Sequence, residues 1–294
     1  MIKIAPDEFK TLSKYILDIS GISLQPGKEY LIETRLASIL EKTKAASFTE
    51  LHRKAVQDPK KQLEKEIIDA ISTNETYFFR DNAPFDLLQH KILPDLIDNR
   101  IQKSGLGRMP VPLRIWSAAC STGQEIYSIA MILKELSIVA PQYRVKLMGT
   151  DISNQAISKA SYARYNKFEV SRGMDENRRR RYFYQDGDHW KLNDELRAMV
   201  SFRQINLMKP LLGLGKFDII FCRNVMIYFT PEARQTLYKK LYDLLEDDGY
   251  LVIGATESLT NDSKWFAPQR YLRSTFYQKQ NAPLPGTQSN RRTI

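Results

Sequence analysis

The chain has 294 residues, 43% of them hydrophobic, which suffices for one large domain or two ordinary ones and excludes global disorder. Its net charge of +10 suits an anionic partner or merely a solvated lysine-rich surface, and does not choose among nucleic acid, acidic protein and membrane. Two cysteines in apolar runs (Cys120 and Cys222), three histidines and no CxxC or HxxxH spacing argue against a metal site. No apolar run is long enough to span a bilayer, and the start MIKIAPDEFK lacks a signal-peptide pattern, so a cytoplasmic protein without membrane insertion is expected.

The first 83 residues are predicted to be all-helical. Phe9, Leu12, Tyr15, Ile16 and Ile19 recur at helical spacing before a stop at Gly21. A second helix is predicted over 29–43 on Leu31, Ile32, Leu36, Ile39 and Leu40. Ser47 and Glu50 have the spacing of a capping box for a third, and Leu63, Ile67, Ile68 and Ile71 mark a fourth. Residues 84–101 continue as a helix, followed by a break rich in Gly and Pro; together, 84–112 are read as a linker.

From residue 113 strands and helices alternate up to residue 280. Strands are predicted at 113–118, 145–150, 217–222, 250–255 and 272–278. The intervening helices span 124–136, 154–163 and 231–245, the last with Thr230 as N-cap and Pro231 at its first position. This order implies an α/β fold with a mostly parallel sheet. Residues 166–200 interrupt the rhythm as an inserted subdomain, with a hairpin of 182–184 and 189–192 around Gln185-Asp186-Gly187-Asp188. The polar tail 281–294 is expected to be disordered.

In an open α/β sheet the ligand sits beyond the carboxyl ends of the strands. Three such ends carry suggestive groups. The loop Ala118–Glu125 has small side chains that admit a ligand to the backbone, and Glu125 fits either a ligand contact or a capping box with Thr122. Asp151 fits either a ribose-binding acid or a helix cap. The pair Arg223-Asn224 ends a buried strand, where an unpartnered charge is costly; Tyr228 and Phe229 beyond it could equally be core aromatics. Residues 72–80 combine Asn, Thr and Arg with aromatics and suit either a lid with polar ligand contacts or a helix end packed on the core.

These segments resemble the CheR family of chemotaxis receptor methyltransferases. The match lies in STNETYFFR at 72–80, RIWSAACSTGQEIYSIA at 114–130, GTDIS at 149–153, INL at 205–207 and FDIIFCRNVMIYF at 217–229. The resemblance implies a Rossmann-like S-adenosylmethionine-dependent methyltransferase domain with a small inserted β-subdomain, preceded by an all-helical N-terminal domain. It implies methyl-ester formation on glutamates of the methyl-accepting chemotaxis receptors' acidic helical bundle, with S-adenosylhomocysteine as product and no metal. By motif position, Asn74, Thr76, Arg80, Glu125, Asp151, Asn206, Leu207, Arg223 and Asn224 would contact the cofactor, Asp151 on the ribose and Asn206 and Leu207 beside adenine. Cys120 and Gln124 depart from the Ala and Glu of familiar members. The hairpin turn is short, whereas some members use a longer, glycine-richer one to grip a receptor's C-terminal pentapeptide; this chain is expected to lack that docking.

A glutamate with pKa near 4.3 is already ionised at neutral pH, so methyl transfer to it needs no general base. The site must position and dehydrate the carboxylate, and Arg80, Asn224 and Tyr228 are the catalytic candidates for orienting it. Lys28, Arg35 and Lys42, at seven-residue spacing, could form a cationic stripe toward an acidic helix or simply a solvated face. A nucleic-acid methyltransferase and a non-catalytic S-adenosylmethionine-sensing module remain alternatives, although no aromatic-basic RNA platform or DPPY-like motif is present and no nucleic-acid partner is expected. No dimer seam is evident, and a monomer is expected.

Overall fold

The computed structural model describes residues 2–104, 111–139, 143–259 and 264–280. The tail from 281 and most of the Gly/Pro break, residues 105–110, lie outside the described residues. Five helices build the N-terminal unit: α1 (Pro6–Ser20), α2 (Glu29–Arg35), α3 (Ala37–Thr43), α4 (Phe48–Gln57) and α5 (Gln62–Ile71). Pro6 opens α1, and Gly21 closes it in the left-handed conformation, its N–H bonding the Leu17 carbonyl. Phe9, Leu12, Ile16, Ile32, Leu36, Phe48, Leu51 and Ile67 form a core of their own.

The single helix predicted over 29–43 is two helices. The chain bends at Leu36 (φ −97°, ψ 1°), which is fully buried, so that Ile32 before it and Ile39 and Leu40 after it all reach one core. Of the three cations at seven-residue spacing, Arg35 turns inward to the Ile71 carbonyl and the Thr73 hydroxyl, whereas Lys28 is exposed and Lys42, paired with Glu66, stays largely exposed.

The helix expected over 84–101 is present, as α6 (Ala83–Leu87), a π-helical turn (Leu88–Ile92) and α7 (Leu93–Ser104), and it packs on the sheet. Phe85, Leu87, Leu88, Ile92 and Leu93 share a hydrophobic cluster with Ile115, Ile219 and Phe221 of the sheet. Arg100 of α7 pins this arrangement by pairing with Asp218 and Asp248.

The remaining elements are β1 (Val111–Ala118), α8 (Gln124–Val139), β2 (Tyr143–Asp151), α9 (Asn154–Tyr162), β3 (Arg164–Asn166), α10 (Lys167–Ser171), α11 (Glu176–Tyr182), β4 (Phe183–Asp186), β5 (His189–Leu192), α12 (Asp194–Ala198), β6 (Val200–Gln204), β7 (Phe217–Cys222), α13 (Pro231–Leu244), β8 (Leu245–Ile253), β9 (Phe266–Tyr271) and β10 (Ser274–Lys279). The main sheet has the order β6-β2-β1-β7-β8-β10-β9. Its first five strands are parallel, whereas β10 runs antiparallel to both β8 and β9. Helices cover both faces. Ile126, Ile129 and Leu133 of α8 pack on Ile115 and Val252, while Leu237, Tyr238 and Leu241 of α13 pack on Trp116, Ile220 and Leu251. Covered on both sides, β7 is buried at every residue and reads as an unbroken apolar run save for Asp218.

Three strands differ from expectation. β6 was not predicted, and the closing strand over 272–278 is a hairpin of β9 and β10 turning at Leu272-Arg273. The inserted sheet has a third strand, β3, so the insert begins at Arg164 rather than 166; its order is β3-β5-β4. The β4–β5 hairpin has a two-residue turn, Gly187-Asp188.

Chain order reverses direction between β1 and β7, from which strands run outward on both sides. That switch point, at the carboxyl ends of the strands, is where such sheets bind ligands.

Candidate active site

A cleft lies at this switch point. The loops after β1, β2, β6 and β7 line its floor. The N-terminal unit closes it from above with Ser20, Ile22 and residues 71–76. All ten residues singled out from the sequence line this one cleft: Asn74, Thr76, Arg80, Glu125, Asp151, Asn206, Leu207, Arg223, Asn224 and Tyr228.

The two units are joined by polar bonds around the cleft. Asn206 donates from Nδ2 to the Ile19 carbonyl and accepts the Met208 N–H on Oδ1, so its side chain ties the loop after β6 to the end of α1. Ser23 donates its N–H to the Tyr228 carbonyl. Ser153 donates its hydroxyl to Asp69 of α5 and accepts the Ala156 N–H as N-cap of α9. The capping role left open for Asp151 thus belongs to Ser153.

Asp151 is freed for the cleft. Its Oδ2 accepts the Ser121 N–H and its Oδ1 the Ser153 N–H, both at 2.8–2.9 Å. Burial pushes its pKa up, while these backbone donors pull it down; the balance is a raised value. A carboxylate has about four acceptor positions, so two remain for further donors.

Glu125 makes no capping box. Its Oε1 accepts the Ser117 hydroxyl at 2.7 Å and its Oε2 accepts Arg223 Nη1 at 2.9 Å. Arg223 Nη2 donates to the Arg80 carbonyl and to Asp81 Oδ2, each at 2.8 Å. The Arg223 side chain is only 1% exposed, so the charge expected to need partners has two. Through it, the ends of β1 and β7 are locked to Arg80-Asp81. The Arg80 guanidinium lies over the Tyr77 ring and donates to the Glu75 carbonyl at the mouth of the cleft.

Backbone strain gathers at these strand ends. Ala119, Ser121 and Asn224 all have positive φ (60°, 52° and 57°), as do Phe79, Asp81 and Asn82 before α6. Asn224 is held by Glu257: its carboxylate accepts the N–H groups of Asn224, Gly254 and Met226 at 2.8–2.9 Å. Asp81 and Glu257 were not singled out from the sequence, because their partners Arg223 and Asn224 are distant along it; nor was Ser117, whose partner Glu125 follows it by 8 residues. Cys120 lies in the cleft wall, but burial, then the nearby Asp151 and Glu125, push its thiol well up and keep it protonated.

The donor set fits a polar nucleoside. Ser121 Oγ and Arg223 Nε, both belonging to cleft-lining residues, are buried without a hydrogen-bond partner among the described residues. Beside them stand the spare acceptor positions of Asp151, and Ala119 and Leu207 provide apolar surface. Among the described residues no group of His, Cys, Asp and Glu could hold a metal ion, and no helix is long and apolar enough to cross a membrane.

Comparison with known proteins agrees with this architecture. Residues 7–72 match the all-alpha domain of CheR methyltransferase, and residues 74–273 match its SAM binding domain. The two matches meet within the 72–80 segment. The chain is 38% identical to a chemotaxis protein methyltransferase of Vibrio parahaemolyticus, covering 88% of this chain and 92% of that one. It is 36% identical to chemotaxis protein methyltransferase 1 of Pseudomonas aeruginosa (86% and 91%) and 36% identical to the Borreliella burgdorferi protein (93% and 96%). Joining a helical unit to an S-adenosylmethionine-binding Rossmann-like unit through one shared cleft, the chain belongs to the CheR methyltransferase family.

Proposed function

We propose that this chain methylates glutamate side-chain carboxylates on the cytoplasmic helical bundle of chemotaxis receptors, forming methyl esters and S-adenosylhomocysteine. One observation carries the reading: a single cleft joins the strand-end acids, the Arg223 network and the Arg80 lid. Bound S-adenosylmethionine supplies an activated sulfonium methyl. Asp151 would hold its ribose hydroxyls, Glu125, Arg223, Asn74 and Thr76 would hold its other polar groups, and Asn206 and Leu207 would flank its base.

The chain's remaining task is to place an ionised carboxylate. Arg80, Asn224 and Tyr228, all lining the cleft, orient it, while the N-terminal unit excludes water and so strengthens every charge contact. No residue needs to remove a proton, since the acceptor is ionised. The short β4–β5 turn supports the absence of a pentapeptide grip. We place the protein in the cytoplasm, where the receptor bundle is, acting as a monomer.

Incubation with methyl-labelled cofactor and receptor-containing membranes should give label in receptors that mild alkali releases. Label in RNA that withstands alkali would establish the nucleic-acid alternative, and nucleoside binding without transfer would establish the sensing module; the family match favours neither. Arg80→Ala should lower turnover by about 100-fold. Near-normal turnover removes Arg80 from the orienting set.

A further inference from the structure

A second cleft backs onto the first. It lies between the start of α6, the end of β8 and the β9–β10 hairpin. The partition between the two is thin. Asp81 lines the second cleft and pairs with Arg223 of the first; Glu257 lines the second and holds the Asn224 N–H of the first.

The charges of this cleft are unbalanced. Its acids are spent: Asp81 on Arg223, and Glu257 on three backbone N–H groups. The Tyr277 hydroxyl accepts the Leu259 N–H. Its two cations are not spent. Arg270 and Arg273 are both exposed and line the cleft, and neither makes an ion pair or side-chain hydrogen bond to another described residue. They flank the tip of the β9–β10 hairpin, where Tyr271 pairs with Ser274. Between them Leu272 takes φ 51° and is 83% exposed. Leu272 thus holds a left-handed position of a tight turn, where Asn or Gly would be less strained, and presents its apolar side chain to water.

We infer that this second cleft is the docking site for the acceptor protein: an acidic helix lies across it, Arg270 and Arg273 take carboxylates that neighbour the reacting glutamate, and Leu272 meets an apolar position of the same helix. The inference rests on the proposed methylation of receptor glutamates and adds the surface that selects them. An acidic helix presents carboxylates three and four residues apart on one face. Two arginines separated by a hairpin tip match such a row and suit carboxylates through their planar forks. The neighbouring Asn224 lip delivers one of those carboxylates to the cofactor cleft.

The test uses the full chain, S-adenosylmethionine and a purified cytoplasmic fragment of a chemoreceptor from the same organism. Arg270→Glu/Arg273→Glu should raise KM for the fragment about tenfold or more through like-charge juxtaposition. Calorimetric affinity for S-adenosylhomocysteine, which also reports folding, should stay within about twofold. Arg270→Lys/Arg273→Lys keeps the charge and should restore most of the loss. Arg203→Glu, on β6 at the opposite edge of the sheet, is the charge control and should leave KM near the wild-type value. A double reversal with unchanged KM, or one that matches Arg203→Glu, overturns the docking site while leaving the proposed methylation standing. Wild-type chain that places no alkali-labile methyl on the fragment overturns both.

Discussion

Replacing Arg223 with Met removes a guanidinium on which three chain segments converge. Its side chain is 1% exposed, that of Glu125 is 12% exposed and that of Asp81 33%. Removing one partner of a buried pair strands the other charge, at about 3–5 kcal/mol. Asp81 recovers part of its hydration at a third exposed, so the lower end, about 3 kcal/mol, applies. At about 2–4 °C per kcal/mol for a domain of this order, melting should drop by about 6–12 °C. Glu125→Gln in the same chain removes the stranded charge, and the double variant should recover about 1–3 kcal/mol relative to the sum of the single ones. The Arg80 carbonyl also loses its anchor, so turnover should fall by about 100-fold as the strained Phe79–Asn82 segment relaxes. Calorimetric melting and methyl transfer to receptor membranes measure both effects. Unchanged melting, or simple additivity of the two substitutions, refutes the idea that this network locks the site.

Because the Asp151 pKa is raised by burial, its ionised form is disfavoured in the fold: its contribution to stability is greatest below the ordinary aspartate range and is lost as pH rises through the raised value. Cofactor affinity should run the other way, weakening as pH falls through that value, since the ribose hydroxyls need the ionised acceptor; Asp151→Asn should weaken S-adenosylhomocysteine binding about tenfold to a hundredfold and abolish that pH dependence, as titration calorimetry across pH would show. Glu257→Gln sets an amide against one of three N–H donors and should cost about 1–3 kcal/mol, with turnover falling and Glu257→Ala falling further; wild-type turnover in both would show that Asn224 holds its place unaided. A Cβ at Gly173, whose φ is +80°, would stand 1.9 Å from the Phe78 carbonyl oxygen, so Gly173→Ala should lower melting by several degrees and disturb the 72–80 segment, and wild-type melting would rule out that close approach.

What the sequence made legible was local. α1 carries its own start and stop in Pro6 and Gly21, and β7 announces burial on both faces by an apolar run. β6 stayed hidden because it is an edge strand, half-exposed, with no apolar run to mark it. The β9–β10 turn stayed hidden because Leu272 occupies the left-handed position without any glycine or asparagine to signal it. The bend at Leu36 was invisible because every residue around it suits a helix; the shared core imposes it.

The site residues divide along the same line. Those at strand ends could be found, because the fold class places ligands there and because Arg223 at the tip of a buried strand demands a partner. The choice between capping and ligand roles could not be made locally. Glu125 and Thr122 have the spacing of a capping box, yet Glu125 spends its oxygens on Ser117 and on Arg223, which is 98 residues away. Asp81 and Glu257 were missed for the same reason, with partners 142 and 33 residues distant. A carboxylate whose bonds are decided by tertiary contact carries no signature in its neighbours. The parts of this cleft that bind are thus written in the strand-end motifs, whereas the parts that hold those motifs in strained conformations emerge only when the two units and both sides of the switch point come together.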